Sequence, residues 1–560
     1  MSRATPVAPP IRVQARGVGY DLVHSIALVG GVACALAFSV DVLVAQPVSG
    51  SVAGTGSSPG TGRAPDTGTE ADANPISAID WLSHSLATPR SLPEPEAPVT
   101  SGIVTDVISV QPLDAPSPDG VGLLPRAVTG LPTDLWGASE LSTLIRMIAD
   151  FPAEPLPAIQ SQFRHLMLAE LAPPRGSTRD GPMLQARVDA LLARGAVEQA
   201  EALLARAGSN EPELFRRTFD VGLLTGREQA ACARMRAVPG ITPSFPVRIF
   251  CLARTGDWPA AALTLESAKA LGQLSPEEDA LLAQFLDPEL SEILPPTAPP
   301  SRPSPLTFRM LEAIGAPMPT ATLPLAFAHS DLRHTAGWKA RIEAAERLAR
   351  AGALSPDVLL AIYGERQPAA SGGVWQRADL VQKLLRDLDA SDAEAVGNSL
   401  GPAWSAMSSA GLAVPFARSV GPKLRGIDLS GKPAQLAPRI GLLSDAYEEV
   451  ALELDTAADP TIAFAASLAR GLPEGDPPGA TAAAIAEAFS LDAPPAGDLM
   501  TRAVWDRMGE ALLMALEAIA GGADTDPSDL AEALAFLRHI GLEDTARRAA
   551  LQILLLETPA

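Results

Sequence analysis

Cys232 and Cys251 are the residues in this sequence whose type and spacing most directly suggest a covalent bond. The chain holds three cysteines, and Cys34 falls in an apolar run near the amino terminus, which leaves these two. An even pair in an oxidising compartment is expected to form a disulfide. The two flank Pro239-Gly240-Ile241-Thr242-Pro243. If antiparallel helices run on either side of that turn, both cysteines stand at similar heights, near the Cα separation of about 4.4–6.8 Å that a disulfide needs. Other chemistry is hard to find. His24, His84, His165, His329, His334 and His539 are scattered, and the spacing of His329 and His334 does not put them on one helix face. No carboxylate pair stands at metal-ligand spacing, so no metal is expected. Ser371-Gly372-Gly373 precedes a helix but lacks the lysine of a phosphate loop, and no G-x-S-x-G elbow occurs. Glu277-Glu278 and Glu448-Glu449 are adjacent on helices and point apart, as solvated surface does. No catalytic residue and no cofactor are expected.

One enzyme class has to be weighed. Soluble lytic transglycosylases place a large helical superhelix ahead of a catalytic domain with a Glu-Ser step and Gly- and Gln-rich companion motifs. Leu265-Glu266-Ser267 supplies the dipeptide without the companions, inside a helical segment, so the activity is not implied.

The elements that position these residues read as helices. Hydrophobic residues make up 47% of 560, enough for a sizeable core, while aromatics reach only 4%. Alanine and leucine dominate that fraction, a balance that favours helix packed on helix over sheet. The formal net charge of −22 repels nucleic-acid phosphate and anionic headgroups. No basic–aromatic patch offsets it, so nucleic-acid binding is excluded.

The amino terminus reads as an address. A lead with Arg3, Arg12 and Arg16 precedes the apolar run Ser25 to Val40, shorter than the roughly 20 residues of a comfortable membrane span. Residues 1–45 are expected to be a signal peptide, with cleavage after Leu43-Val44-Ala45, or a retained anchor at 25–44; either places the rest in the periplasm. Residues 46–135 are expected to be mostly disordered linker, beginning with a Gly/Ser/Thr/Pro tract that cannot bury apolar surface. Within it, Asn74 and Pro75 open a short helix over 74–88. Ile76, Ile79, Leu82 and Leu86 share one face, Trp81 stands beside that face, and Pro89 ends the helix. Such a helix between flexible tracts must dock, on the chain's own body or in a partner's groove, and these five residues are the partner-binding candidates. Ile103 to Val110 reads as an isolated strand.

A repeat opens the helical body at 136–292. Gly195, Gly226 and Gly256 recur at spacings of 31 and 30 residues. Each follows an apolar helix and precedes a second one, with Ala200, Ala231 and Ala261 at the fifth position after the glycine. The glycine closes one helix in a left-handed turn, the small alanine admits close packing, and stacked hairpins bury what one hairpin cannot. Over about residues 180–285 this resembles the tetratricopeptide repeat, in which a Gly-x-x-x-x-Ala step joins helix A to helix B. The period here is shorter, and the family's aromatic and proline positions are not regularly present. A Pro-rich linker is expected at 293–306 and a second helical domain at 307–560, with helices at 338–351, 355–363, 374–388, 439–454, 500–520 and 529–555. Gly352 and Gly541 echo the repeat there. The expected fold class is all-α: a tetratricopeptide-like helical-hairpin α-solenoid in two parts, with a disordered tether and one strand. As a whole the chain resembles uncharacterised exported proteins of GC-rich proteobacteria, a likeness that implies no activity. The function these features suggest is a non-catalytic periplasmic scaffold for other envelope proteins, touching membrane only through an amino-terminal anchor. The alternatives are an accessory of an envelope machine, such as the flagellar motor or a pilus, and a cell-wall-acting enzyme with an unrecognised site.

Overall fold

The computed structural model describes residues 117–208, 211–242, 244–287, 289–290, 299–454, 459–490 and 497–556. Contacts divide the chain into residues 1–108 and 109–560, and every described residue belongs to the second unit. The signal-like segment, Cys34, the helix expected at 74–88 with Ile76, Ile79, Trp81, Leu82 and Leu86, and the strand expected at 103–110 lie outside the described residues.

Among the described residues the fold is helical and holds no sheet; Leu124 with Ala169 and Glu140 with Arg175 form isolated bridges. In the first part the helices are α1 (Leu141–Asp150), α2 (Pro157–Leu168), α3 (Pro182–Ala193), α4 (Val197–Ala207), α5 (Pro212–Thr225), α6 (Glu228–Ala237), α7 (Phe245–Arg254), α8 (Trp258–Ala270) and α9 (Pro276–Leu286). Next come α10 (Pro305–Ala313), α11 (Trp338–Arg350), α12 (Pro356–Gly364), α13 (Gly373–Asp389), α14 (Ala393–Ser408), α15 (Ala413–Leu424), α16 (Lys432–Leu442) and α17 (Tyr447–Glu453). The last are α18 (Pro460–Ala469), α19 (Ala480–Phe489), α20 (Asp498–Val504), α21 (Met508–Ile519), α22 (Pro527–His539) and α23 (Glu543–Leu555).

Local chemistry sets where these helices begin. Ser275, Ser304, Ser355, Asp459 and Asp526 each precede a proline at the first helical position, and each side-chain oxygen accepts a backbone N–H of the first turn. The proline lacks only an N–H that would have had no partner, so a chain with 53 prolines is still helical. At the other end, Gly195, Gly226 and Gly256 take φ of +72°, +75° and +86° just past α3, α5 and α7. A side chain there would clash with the following carbonyl. Ala200, Ala231 and Ala261 are buried where the second helix of each pair meets the first.

Three expected helices are each two. Residues 439–454 break between α16 and α17, where Ser444 donates its hydroxyl to the Gly441 carbonyl and accepts the Ala446 amide. Residues 500–520 break at Asp506, which takes φ of +61° between α20 and α21. Residues 529–555 break at Gly541, φ +89°, between α22 and α23. Apolar periodicity runs through each break because both helices bury the same side of the chain. Helix α14 carries Pro402 in its interior, where it costs one hydrogen bond but not the helix.

Most helices pack on their neighbours in chain order, α3 on α4, α4 on α5, α5 on α6 and onward to α9. Two departures shape the molecule. Helix α10 packs on α9 and also returns to α5. The series also closes on itself, because α2 packs on α23 and both α1 and α2 pack on α21. The Ala158 amide donates to Gln552 Oε1 at 2.9 Å and the Gly509 amide to the Leu135 carbonyl at 2.9 Å. Gly509 is needed at that seam: a Cβ built on it would run into the Trp136 ring. One buried apolar cluster accordingly runs from Leu131 to Leu555, and a smaller one lies under α5 to α10. Around residue 325 the chain seals the repeat turns: His329 Nε2–H donates to the Gly195 carbonyl at 2.7 Å and Ser330 Oγ to the Leu224 carbonyl at 3.2 Å.

Candidate functional site

A cavity of about 690 Å³ opens among α5, α7, α9 and α10. Its apolar floor comes from Phe215 and Phe219 of α5, Leu281 of α9 and Met310 of α10. Phe219 meets Phe250 edge-on with centroids 6.0 Å apart, and Phe250 stacks on Phe285 at 5.4 Å, so the floor rests on a ladder of rings. The rim is charged: Arg216 and Asp220 on one side, Glu277 and Glu278 at the start of α9, and Arg302 ahead of α10. The groove exists because α5, α7 and α9 lie side by side and α10 crosses back to α5.

Asp220 is the perturbed group of this rim. Burial pushes its carboxyl up to about 6, with Arg216 and Arg217 pulling the other way. Arg216 lies 3.3 Å from it, while Arg217 is committed to Asp189 through bonds of 2.8 and 2.7 Å. A carboxyl raised in the folded state contributes stability that is complete below its unfolded pKa and is lost as pH rises through about 6. Asp220→Asn is therefore expected to be more stable than wild type by about 2 kcal/mol at pH 7.5, and equal to it at pH 4. Urea midpoints of the two proteins between those pH values check this; a difference that does not change with pH counts against it.

Cys232 of α6 and Cys251 of α7 are joined in a disulfide with Cα atoms 5.2 Å apart. Both are buried in the cluster behind the groove, and the bond clamps α7, one wall of the groove, to α6. His329 is committed to the repeat turn, His165 lies at the surface, and among the described residues no group of three or more His, Cys, Asp or Glu side chains is placed to hold a metal ion. Glu266 sits exposed on α8, paired with Lys269, and does not line the groove. No helix among the described residues is long and apolar enough to cross a membrane. Sequence reading missed the groove. The apolar spacing of Phe215 and Phe219 was visible, but it looks the same for a helix wholly inside a core.

The architecture is that of a mostly α-helical protein of many packed helix pairs, consistent with a helical repeat. No family model matches the chain, and no curated protein or solved structure matches it.

Proposed function

We propose that this protein is a non-catalytic, tetratricopeptide-like helical scaffold of the cell envelope that holds an apolar segment of a partner protein in the groove among α5, α7, α9 and α10. The groove itself carries this reading: an apolar floor of rings and aliphatic side chains, ringed by charge, suits a segment with apolar anchors and polar flanks. The Cys232–Cys251 bond supports an oxidising compartment. The signal-like segment at 1–45 supports export to the periplasm, with cleavage or retention as an anchor decided by the amino terminus of the mature chain. Val247→Glu with Thr307→Glu places two carboxylates at the groove wall on partly exposed positions. In a pulldown from crosslinked envelopes, this variant is expected to lose the protein captured by wild type while keeping its melting temperature. Capture unchanged by the variant, or recovery of glycan without protein, counts against the scaffold.

A further inference from the structure

A second cavity, of about 430 Å³, lies where the two ends of the helical body meet. It is lined by α2, by the turn after α11, by the starts of α15 and α23 and by the end of α16. Its charged lining differs in sign from the chain as a whole. Arg164, Arg350, Arg418 and Arg548 face it together with Asp445 and Asp544, in a protein of net charge −22.

The carboxylates are already taken. Asp445 accepts from Arg418 Nε at 2.9 Å and from an Arg548 terminal nitrogen at 2.8 Å. Asp544 accepts from Arg548 Nε at 2.8 Å and from the Tyr447 hydroxyl at 2.8 Å. Arg350 donates to the Ala410 carbonyl at 2.7 Å. Arg164 differs: among the described residues it forms no hydrogen bond and no ion pair. Its guanidinium lies over the left-handed turn at Gly352, where an added Cβ would stand 3.2 Å from it. It is near enough to Arg418 for the two charges to repel, and burial and that repulsion both hold its pKa below the usual arginine value. A half-buried cation beside a like charge, with no protein acceptor for any of its five donors, gains nothing from the fold around it. Fold stability gives no reason for it.

We propose that this cavity binds a small oxyanion, a phosphate- or carboxylate-bearing solute, with Arg164 donating a bidentate pair of hydrogen bonds and Arg418 supplying the second charge. The fork of a guanidinium matches either group, and cationic walls of low dielectric concentrate anions in a cleft. The site is separate from the groove among α5, α7, α9 and α10, and stands or falls independently of what that groove holds.

The test uses the full chain, with sodium phosphate, sodium citrate and sodium chloride at matched ionic strength. Wild type and Arg236→Gln, an exposed cation elsewhere, are expected to melt higher in phosphate or citrate than in chloride. Arg164→Gln is expected to lose that rise, to bind the same anion about tenfold more weakly by calorimetry, and to be no less stable than wild type in chloride. A rise with phosphate alone assigns phosphate groups, and a rise with citrate alone assigns carboxylates. Three results overturn the site: no response of wild type to either anion, an undiminished response in Arg164→Gln, or a lower melting point of Arg164→Gln in chloride. The last would make Arg164 a structural cation.

Discussion

Arg187→Leu is expected to lower the stability of the helical body by about 4 kcal/mol, the range for removing one partner of a buried charged network. Arg187 on α3 is almost fully buried, and its guanidinium is surrounded by main-chain oxygens. Nε donates to the Met167 carbonyl at 2.7 Å, one terminal nitrogen to Asp119 and Val121 at 3.2 and 2.8 Å, and the other to Ala169 at 2.9 Å. Burial pushes its pKa down to about 10, so it is still charged at neutral pH. Those four carbonyls belong to the first described segment and to the end of α2, and the arginine ties both to α3. Leucine fills much of the volume but leaves the oxygens without donors in a dry site. The loss is expected in the urea midpoint, with faster amide exchange at Leu123 and Leu124, whose amides donate to the Leu168 carbonyl. A cost under about 1 kcal/mol would mean that water replaces the guanidinium.

Replacing both Cys232 and Cys251 by alanine is expected to cost about 3 kcal/mol, since the bond closes a loop with a sequence separation of 19 and restricts the unfolded chain. Further loss comes from the sulfur atoms removed from a packed cluster that includes Phe250 and Met235. A smaller urea midpoint shift in the same direction is expected when wild type is reduced, since both sulfur atoms stay in place, and no shift when the double variant is. Thiol counting on denatured, unreduced protein checks the bond directly: with Cys34 substituted, no free thiol is expected, and two free thiols would sink it. Loss of the clamp also loosens α7 against α6, so the groove is expected to weaken in partner capture before the helical body melts.

The glycine turns, several helix starts of the second half and the cysteine geometry were readable from local chemistry alone. A glycine every thirty or so residues between apolar helices has few physical uses, and Gly195, Gly226 and Gly256 all take the left-handed conformation that the spacing implied. The helix expected from 355 begins at Ser355-Pro356 for the same local reason: cap and fixed φ are set by two adjacent residues. The positions of Cys232 and Cys251 followed from counting residues on either side of one turn, which needs no knowledge of the rest of the chain. Local signals failed where two helices bury the same side, so that 439–454, 500–520 and 529–555 each read as one helix across breaks held by Ser444, Asp506 and Gly541.

Everything that makes a cavity was decided by tertiary structure. The groove needs α10 to return across α9 to α5, and nothing in Leu306, Met310 or Leu311 says which of several apolar helix faces they will meet. The closure of α1 and α2 on α21 and α23 rests on pairs such as Ala158 with Gln552, separated by 394 residues. Arg164, Arg418 and Arg548 reach one cavity only through that closure. Helix periodicity specifies which face is buried but not against what, because hydrophobic burial is non-directional. The partner of each face is chosen by shape and by the few polar groups that must be satisfied, and those are properties of the packed whole.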